Sequence, residues 1–153
     1  MDAGPALPPS LLGLDIYLLS RVGKVARGRF AERLAARGLR LWHMAILAAL
    51  VDFGPHAQRE LAERLTIHPS DVTKIVDELT AAGQVERTRD EKDRRRMTVR
   101  ITRAGRAALR ALDKEANQVG AELLAPLDHT ERAQLTDILR RVFDHAHQDP
   151  PPK

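Results

Sequence analysis

The stretch IHPSDVTKIVDELTAAGQVERTRDEKDRRRMTVRITRAG, from Ile67 to Gly105, decides the fold of this 153-residue chain. Pro69 suits the first position of a helix, because its missing N–H would have no partner there. Apolar residues recur at helical spacing until Gly83, so we predict a helix over Pro69–Ala82.

Two short segments after this helix predict a β-hairpin. The strands are Val85–Arg89 and Met97–Ile101, and the loop DEKDRRR between them is too charged to be buried. In the second strand we expect Met97, Val99 and Ile101 to face inward, and Thr98, Arg100 and Thr102 to face outward.

The residues before this stretch complete a helix-turn-helix. Gln58–Leu65 is predicted as a short helix, and Thr66-Ile67-His68 as a three-residue turn. Leu41–Phe53 is predicted as a helix too apolar for a surface element, closed by Gly54-Pro55.

Longer helices are predicted on both sides of this module. The first runs over residues 11–37 and ends at Gly38. Thr102 caps another, on which Leu109, Leu112, Ala116, Val119 and Leu123 form a coiled-coil-like seam. Asp128 and Glu131 open the last helix with a capping box. Its apolar stripe contains Leu135, Ile138, Leu139, Val142 and Phe143.

The predicted fold class is mainly α with a small β-hairpin wing, a winged helix-turn-helix flanked by N- and C-terminal dimerisation helices. We expect one domain over residues 11–147, with its winged core at about 41–102 and dimerisation helices at about 11–37 and 103–147. The Pro-rich ends, residues 1–10 and 148–153, are predicted to be disordered tails. The terminal stripes are too apolar for the small core to cover, so we expect a homodimer.

Composition and charge narrow the function. Cysteine is absent, which excludes thiol catalysis, cysteinyl metal sites and thiol-based redox sensing. No charged-then-apolar leader opens the chain, so we expect a cytoplasmic protein without a membrane partner. Residues 84–106 contain nine Lys or Arg against four Asp or Glu, a local excess larger than the net charge of +4 for the whole chain. A basic patch of this kind beside a helix-turn-helix favours nucleic acid as the partner.

The segment Ile67–Gly105 resembles the MarR family of bacterial transcription regulators. The resemblance lies in the helix-turn-helix, the D-x-x-D-R-R wing at Asp90–Arg95 and the I-T-x-x-G joint at Ile101–Gly105. It implies a dimer that binds a pseudo-palindromic DNA operator, usually as a repressor, and releases it when a small aromatic or phenolic ligand binds. Gln84 departs from the family pattern, which has an apolar residue there, and suggests a wetter strand edge.

The exposed face of the second helix-turn-helix helix is the predicted DNA-reading surface. It carries Ser70, Thr73, Lys74 and Asp77, small hydroxyls and one cation suited to base edges in the major groove. Asp77 would repel phosphate, so we expect it to pair with a nearby cation or to accept from a cytosine amino group.

The hairpin supplies the remaining predicted DNA contacts: Arg87, Arg89, Arg94, Arg95 and Arg96. An arginine at the hairpin tip fits the minor groove, and the resemblance assigns that role to Arg94 or Arg95. We expect Asp93 to brace one of those arginines and Asp90 to help turn the loop. Plain surface charge is an equal alternative for Arg87, Arg89 and Arg100.

A ligand pocket is predicted where the first two helices meet. Tyr17 and Arg21 lie one turn apart, and Trp42 and His43 open the next helix. Together they would offer aromatic walls, a cation and a titratable donor for an aromatic carboxylate or phenol. The alternatives are that Trp42 belongs to the core and that Arg21 pairs with an acid on a partner subunit.

Other functions receive less support from the residues. No catalytic motif is present, so we expect no enzyme and no cofactor. His145 and His147 are spaced i and i+2, which does not place them on one helix face, so we expect no metal site. The alternative function is a winged-helix module that binds RNA or protein and does not respond to a ligand.

Overall fold

The computed structural model describes residues 7–148, which form seven helices and one two-stranded sheet. The elements are α1 (Pro9–Leu12), α2 (Asp15–Ala35), α3 (Leu41–Phe53), α4 (Gln58–Leu65), α5 (Pro69–Ala81), β1 (Val85–Arg89), β2 (Met97–Ile101), α6 (Arg103–Leu123) and α7 (His129–Gln148). The predicted tails lie mostly outside the described residues, at 1–6 and 149–153. The mainly helical winged fold is confirmed.

The N-terminal part differs from the single helix predicted over residues 11–37. A one-turn helix, α1, begins at Pro9, within the segment predicted as a tail, and α2 starts only at Asp15. Gly13 and Leu14 separate the two helices, and Leu14 adopts an extended backbone. The apolar periodicity continues across this break, so the pattern alone did not reveal it.

Helix α3 lies at the centre of the core. It packs against α4, α5, α6 and β2, and its residues Ile46, Leu47 and Leu50 are almost fully buried. This explains why α3 is too apolar to be a surface element. No helix within residues 7–148 combines the length and the apolar character that crossing a membrane requires.

A close backbone contact joins the wing to α6. Gly83 ends α5 with a φ of +70°, and its carbonyl accepts a hydrogen bond of 2.6 Å from the Thr102 hydroxyl. That hydroxyl also accepts from the N–H of Gly105 and so caps α6 as predicted. A Cβ on Gly105 would overlap the carbonyl oxygen of Gln84 and lie 2.7 Å from Cγ1 of Ile101. The glycine of the I-T-x-x-G joint is therefore required by space.

The prediction for the faces of β2 was partly wrong. Val99 and Ile101 are buried as expected, but Met97 is exposed and Thr98 is buried. Thr98 lies opposite Thr88 in the antiparallel register, and its hydroxyl donates to the Thr88 carbonyl at 3.4 Å. A small side chain whose hydroxyl is satisfied in this way can be buried on the polar face of a strand.

One further backbone contact extends the hairpin, and one buried polar atom lies beside its first strand. His56 pairs with Val99 through two backbone hydrogen bonds of 3.2 and 2.7 Å and extends the sheet by one residue. The side-chain oxygen of Gln84 is buried and has no hydrogen-bond partner among the described residues. The wetter strand edge suggested for Gln84 is therefore not found at this atom.

The terminal helices leave a large apolar surface uncovered. The α6 seam is covered by α2 and α3, whereas no residue of α7 is buried in the single chain. Asp128 and Glu131 form the predicted capping box at the start of α7. The exposed apolar residues at the two ends of the chain are called here the terminal face. They are, near the N-terminus, Leu12, Leu14, Ile16, Leu18, Leu19, Val22 and Val25 and, on α7, Ile138, Leu139, Val142 and Phe143.

Candidate nucleic-acid interface

The helix-turn-helix presents the predicted face of α5 to solvent. Thr66, in the left-handed conformation with φ 54°, ends α4, and His68 caps α5 by accepting from the Ser70 N–H. The buried face holds Val72, Ile75, Val76 and Leu79, and the exposed face holds Ser70, Thr73, Lys74 and Asp77. Lys74 has no ion pair within residues 7–148, so its charge is available to a ligand.

A chain of hydrogen bonds crosses from this face to the wing. The Thr73 hydroxyl donates to the Pro69 carbonyl and accepts from Gln58 Nε2, both at 3.1 Å. The Gln58 oxygen accepts from Arg87 Nε at 2.9 Å, and Arg87 also donates to the carboxylate of Asp77. Asp77 thus pairs with a nearby cation, one of its two expected roles.

Backbone hydrogen bonds to two carboxylates shape the wing loop. Asp90 accepts from the N–H groups of Lys92 and Asp93, at 2.7 and 3.1 Å. These bonds hold the pKa of Asp90 below its usual range, because they stabilise the ionised carboxylate. Asp93 accepts from the N–H of Arg95 at 3.0 Å. It braces that arginine through the backbone, so the guanidinium is left free to reach outward.

The wing arginines differ in whether their guanidinium groups have a partner within the protein. Arg94 and Arg95 are exposed and form no ion pair with any residue the structure describes. Arg96, which we expected to contact DNA, is half-buried and pairs with Glu60 on α4. This ion pair joins the wing to the helix-turn-helix, and the DNA contact of Arg96 stays a prediction. Arg89 is exposed and donates to the Arg94 carbonyl at 2.8 Å.

Glu60 has a second role at the start of α4. It accepts from the N–H of Ala57 at 2.9 Å, and this bond, with a further contribution from Arg96, holds the pKa of Glu60 below its usual range. One carboxylate therefore caps α4 and binds the wing, which fixes the wing relative to the helix-turn-helix.

His43 does not lie in a ligand pocket but in the core. It is 2% exposed, and its Nδ1 accepts from the N–H of Arg40 at 3.0 Å. Since Nδ1 is an acceptor, Nε2 carries the hydrogen and donates to Glu78 on α5 at 2.6 Å. This bond, together with Arg40, keeps the pKa of Glu78 below its usual range. The expected titratable pocket donor instead connects α3 to α5.

Tyr17 and Arg21 lie one turn apart on α2, but Tyr17 is not brought to the start of α3, where Trp42 lies, within one chain. Helix α3 begins beside Ala26 and Phe30, and Tyr17 lies about 14 Å earlier along the α2 axis than Ala26 at a rise of 1.5 Å per residue. Trp42 is 46% exposed and Arg21 is also exposed.

An apolar groove of about 370 Å³ lies instead between α2, the start of α3 and α6. Its lining residues are Ala26, Arg27, Phe30, Leu41, Ala116, Val119, Gly120 and Leu123. None of the four predicted pocket residues lines it.

The partners of the predicted site residues carry little signal in the sequence. Gln58, Glu60 and Glu78 were not singled out, because a single glutamine or glutamate on a short amphipathic helix looks like ordinary surface. One signal was available. Glu60 lies three residues after Ala57, the position from which a glutamate side chain can accept the N–H of the residue that precedes a helix.

Comparison with known proteins agrees with this geometry. A family profile described as MarR family matches residues 37–96. The chain is 30% identical over 127 residues to YdgJ, described as an uncharacterized HTH-type transcriptional regulator of Bacillus subtilis. The alignment covers 83% of this chain and 76% of YdgJ.

Two solved structures are similar over most of their length. The Mycobacterium tuberculosis MarR family protein Rv2887, in complex with DNA, has a TM-score of 0.74 and 25% identity, covering 85% of this chain and 98% of that one. CouR from Rhodococcus jostii RHA1, bound to p-coumaroyl-CoA, has a TM-score of 0.69 and 27% identity, covering 88% and 95%. With its helix-turn-helix, its braced wing and these matches, the chain belongs to the MarR family of transcriptional regulators.

Proposed function

We propose that this regulator is a homodimeric repressor that reads a pseudo-palindromic operator with α5 and the wing tip. The observation that carries the proposal is the arrangement of free cations. Lys74 on the exposed face of α5 and Arg94 and Arg95 at the wing tip have no ion pair among residues 7–148, whereas the neighbouring Arg87 and Arg96 are paired.

The chemistry of the two groups suits the two grooves of DNA. Ser70, Thr73 and Lys74 offer hydroxyls, a methyl and a cation to base edges in the major groove. Arg94 and Arg95 are suited to the minor groove, where the potential is most negative. The Arg96–Glu60 pair holds the wing against the helix-turn-helix, which favours simultaneous contact of both groups with one DNA duplex. The DNA-bound structure of Rv2887 supports the same partner.

The terminal face supports a second copy of this chain as its occupant. Leu19 on α2 and Leu139, Val142 and Phe143 on α7 line one apolar concavity of about 480 Å³ that the single chain leaves open. A contiguous apolar surface of this kind marks an interaction site. A two-fold dimer that covers this surface would present one α5 helix to each half-site of a pseudo-palindromic operator.

Footprinting of the DNA upstream of the protein's own gene tests the proposal. We expect a protected inverted repeat with half-sites about 10 bp apart, and affinity that falls steeply as salt rises. Changing Arg94 and Arg95 together to Ala should weaken binding to every duplex and flatten the salt slope. The matched control changes Arg110 and Lys114, two cations one turn apart on α6, and should have a smaller effect.

Unchanged operator binding by the Arg94/Arg95 double variant would refute the wing assignment. A duplex RNA of the same sequence serves as a further arm, and equal affinity for RNA would favour the alternative RNA-binding module.

Release by a small aromatic ligand is the second part of the proposed function. The groove between α2, α3 and α6 favours it, because a volume of about 370 Å³ with apolar walls, Phe30 and one cation, Arg27, suits an aromatic acid. CouR, which resembles this chain, was solved with p-coumaroyl-CoA bound. A ligand there would contact Leu41 at the start of α3, and His43 connects that end of α3 to Glu78 on α5.

Trp42, the only tryptophan in the sequence, follows the groove-lining residue Leu41, so its fluorescence is a probe beside the groove and not within it. We expect salicylate to alter the emission and to weaken operator binding by about 5- to 150-fold, the usual range of allosteric coupling. Arg27→Ala should reduce the response more than Arg21→Ala, which removes the same charge outside the groove. A panel of aromatic acids that changes neither emission nor DNA binding would exclude this ligand site.

A further inference from the structure

The Arg87 side chain is engaged within the protein although it belongs to the basic wing. Its Nε donates to Gln58 and one terminal nitrogen donates to Asp77, so that it joins β1 to both helices of the helix-turn-helix. The side chain is 32% exposed, against 61% for Asp77. Arg94 and Arg95 have no such carboxylate partner among the described residues.

The carboxylate of Asp77 compensates the positive charge of Arg87, which would otherwise attract a DNA phosphate. A carboxylate binds a guanidinium with the same charge-assisted geometry as a phosphate oxygen does. Because Asp77 already occupies Arg87, a DNA phosphate could recruit this arginine only by displacing the carboxylate and leaving it beside the DNA backbone.

The same arginine orients the group that holds Thr73. With its oxygen accepting from Arg87, the Gln58 amide turns its NH₂ toward the Thr73 hydroxyl at 3.1 Å. The hydroxyl hydrogen is used on the Pro69 carbonyl. Thr73 therefore presents a fixed methyl and one remaining acceptor to the major groove.

We propose that Arg87 is a positioning residue for sequence readout, acting on Thr73 through Gln58, and that Asp77 withholds it from the DNA phosphates. The proposal rests on the proposed DNA-binding face. The arginines of the basic stretch at residues 84–106 then have two different roles in DNA binding. Arg94 and Arg95 bind DNA of any sequence, whereas Arg87 affects only the choice among sequences.

The experiment measures affinity for the protected operator and for a scrambled duplex over a range of salt, in wild type, Asp77→Asn, and the double variant Asp77→Asn/Arg87→Ala. The double variant removes one positive and one negative charge, those of Arg87 and Asp77, so the net charge of the protein is unchanged. Affinity for the scrambled duplex and its salt slope should stay as in wild type, while preference for the operator falls about two- to tenfold per half-site, the range of one hydrogen bond.

The single variant Asp77→Asn should behave differently, because it leaves the charge of Arg87 without a carboxylate partner. Affinity for the scrambled duplex should rise by up to about fivefold per subunit, the upper range for releasing an exposed ion pair. The salt slope should steepen by about 0.9 per freed arginine, or about 1.8 per dimer. Asp71→Asn is the control, since it removes the same charge from α5 and Asp71 has no paired cation in residues 7–148.

Gln58→Ala provides an independent check. It should lower operator preference as the double variant does and leave the salt slope unchanged. The proposal is overturned if the double variant binds both duplexes more weakly with a slope shallower by about 1.8, because Arg87 is then a phosphate contact. It is also overturned if operator preference survives both the double change and Gln58→Ala. Failure of the wild type to bind any duplex would instead overturn the proposed function itself.

Discussion

Replacing Gly105 with Ala should destabilise the protein strongly, although alanine is the better helix former. The added Cβ would overlap the carbonyl oxygen of Gln84 and lie 2.7 Å from Cγ1 of Ile101. The Gln84 carbonyl oxygen is a backbone atom, so it cannot move aside by a rotamer change as a flexible side chain could. The Gln84 carbonyl also accepts the N–H of Thr102 at 3.0 Å, so moving it stretches that bond.

The expected magnitude follows from these two contacts. Overpacking typically costs about 1–3 kcal/mol, and a weakened backbone hydrogen bond adds about 1 kcal/mol. We therefore expect Gly105→Ala to lower the free energy of unfolding by about 3 kcal/mol. For a chain of this length that corresponds to a fall in Tm of about 6–12 °C.

Gly120→Ala is the matched control, since it makes the same change on the same helix where a new Cβ meets nothing within 4 Å beyond the adjacent residues and the helix's own backbone. It should raise stability by about 1 kcal/mol through helix propensity alone. Circular dichroism melts at equal protein concentration measure both variants, since oligomerisation makes Tm depend on concentration. Equal Tm changes for the two variants, or a Gly105→Ala protein as stable as wild type, would refute the argument from the close contact.

Three further predictions concern the interface, pH and DNA. Leu139→Asp places a charge in the terminal face, so the mass measured by sedimentation equilibrium should shift toward the 17.1 kDa of the monomer. Gln134→Asp on the same helix should leave that mass unchanged. A dimer unaffected by Leu139→Asp would exclude this surface as the dimer interface. The stabilisation from Glu78 should be present above pH 4.5, the ordinary glutamate value, and be lost as pH falls further, because the hydrogen bond from His43 lowers the pKa of Glu78 in the folded state. Urea unfolding of wild type and Glu78→Gln should therefore differ most near neutral pH and converge in acid; a constant difference would contradict this. Lys74→Ala should change the order of preference among operator variants by about 1–3 kcal/mol if the contact is to a base, and weaken all of them equally if it is to a phosphate.

The bounds of α3, α4, α5 and the wing strands could be read from the sequence because their signals are local. Proline at the start of α5, glycine at its end and a charged loop between two β-branched segments each act over a few residues. The break at Gly13 and Leu14 was missed because apolar spacing continues through it. The burial of Thr98 was missed because it depends on the hydroxyl-to-carbonyl contact with Thr88 across the hairpin.

The candidate site was predictable as a surface but not as a network. Periodicity alone identified which side of α5 faces solvent. It could not tell that Arg96 would pair with Glu60, some 36 positions earlier, while Arg94 would stay free. His43 was misplaced for the same reason, since its partner Glu78 is 35 positions away and only the packing of α3 on α5 brings them together.

The terminal face also has a consequence for synthesis on the ribosome. Leu19 and Leu139 line the same concavity, yet about 120 residues separate them in the chain. At translation rates of about 5–20 residues per second, the apolar part of α2 waits roughly 6–24 s before α7 has been made. The nascent chain is therefore exposed to premature association through α2 during most of its synthesis. Co-expression with a chaperone that shields nascent apolar segments should therefore raise the soluble yield.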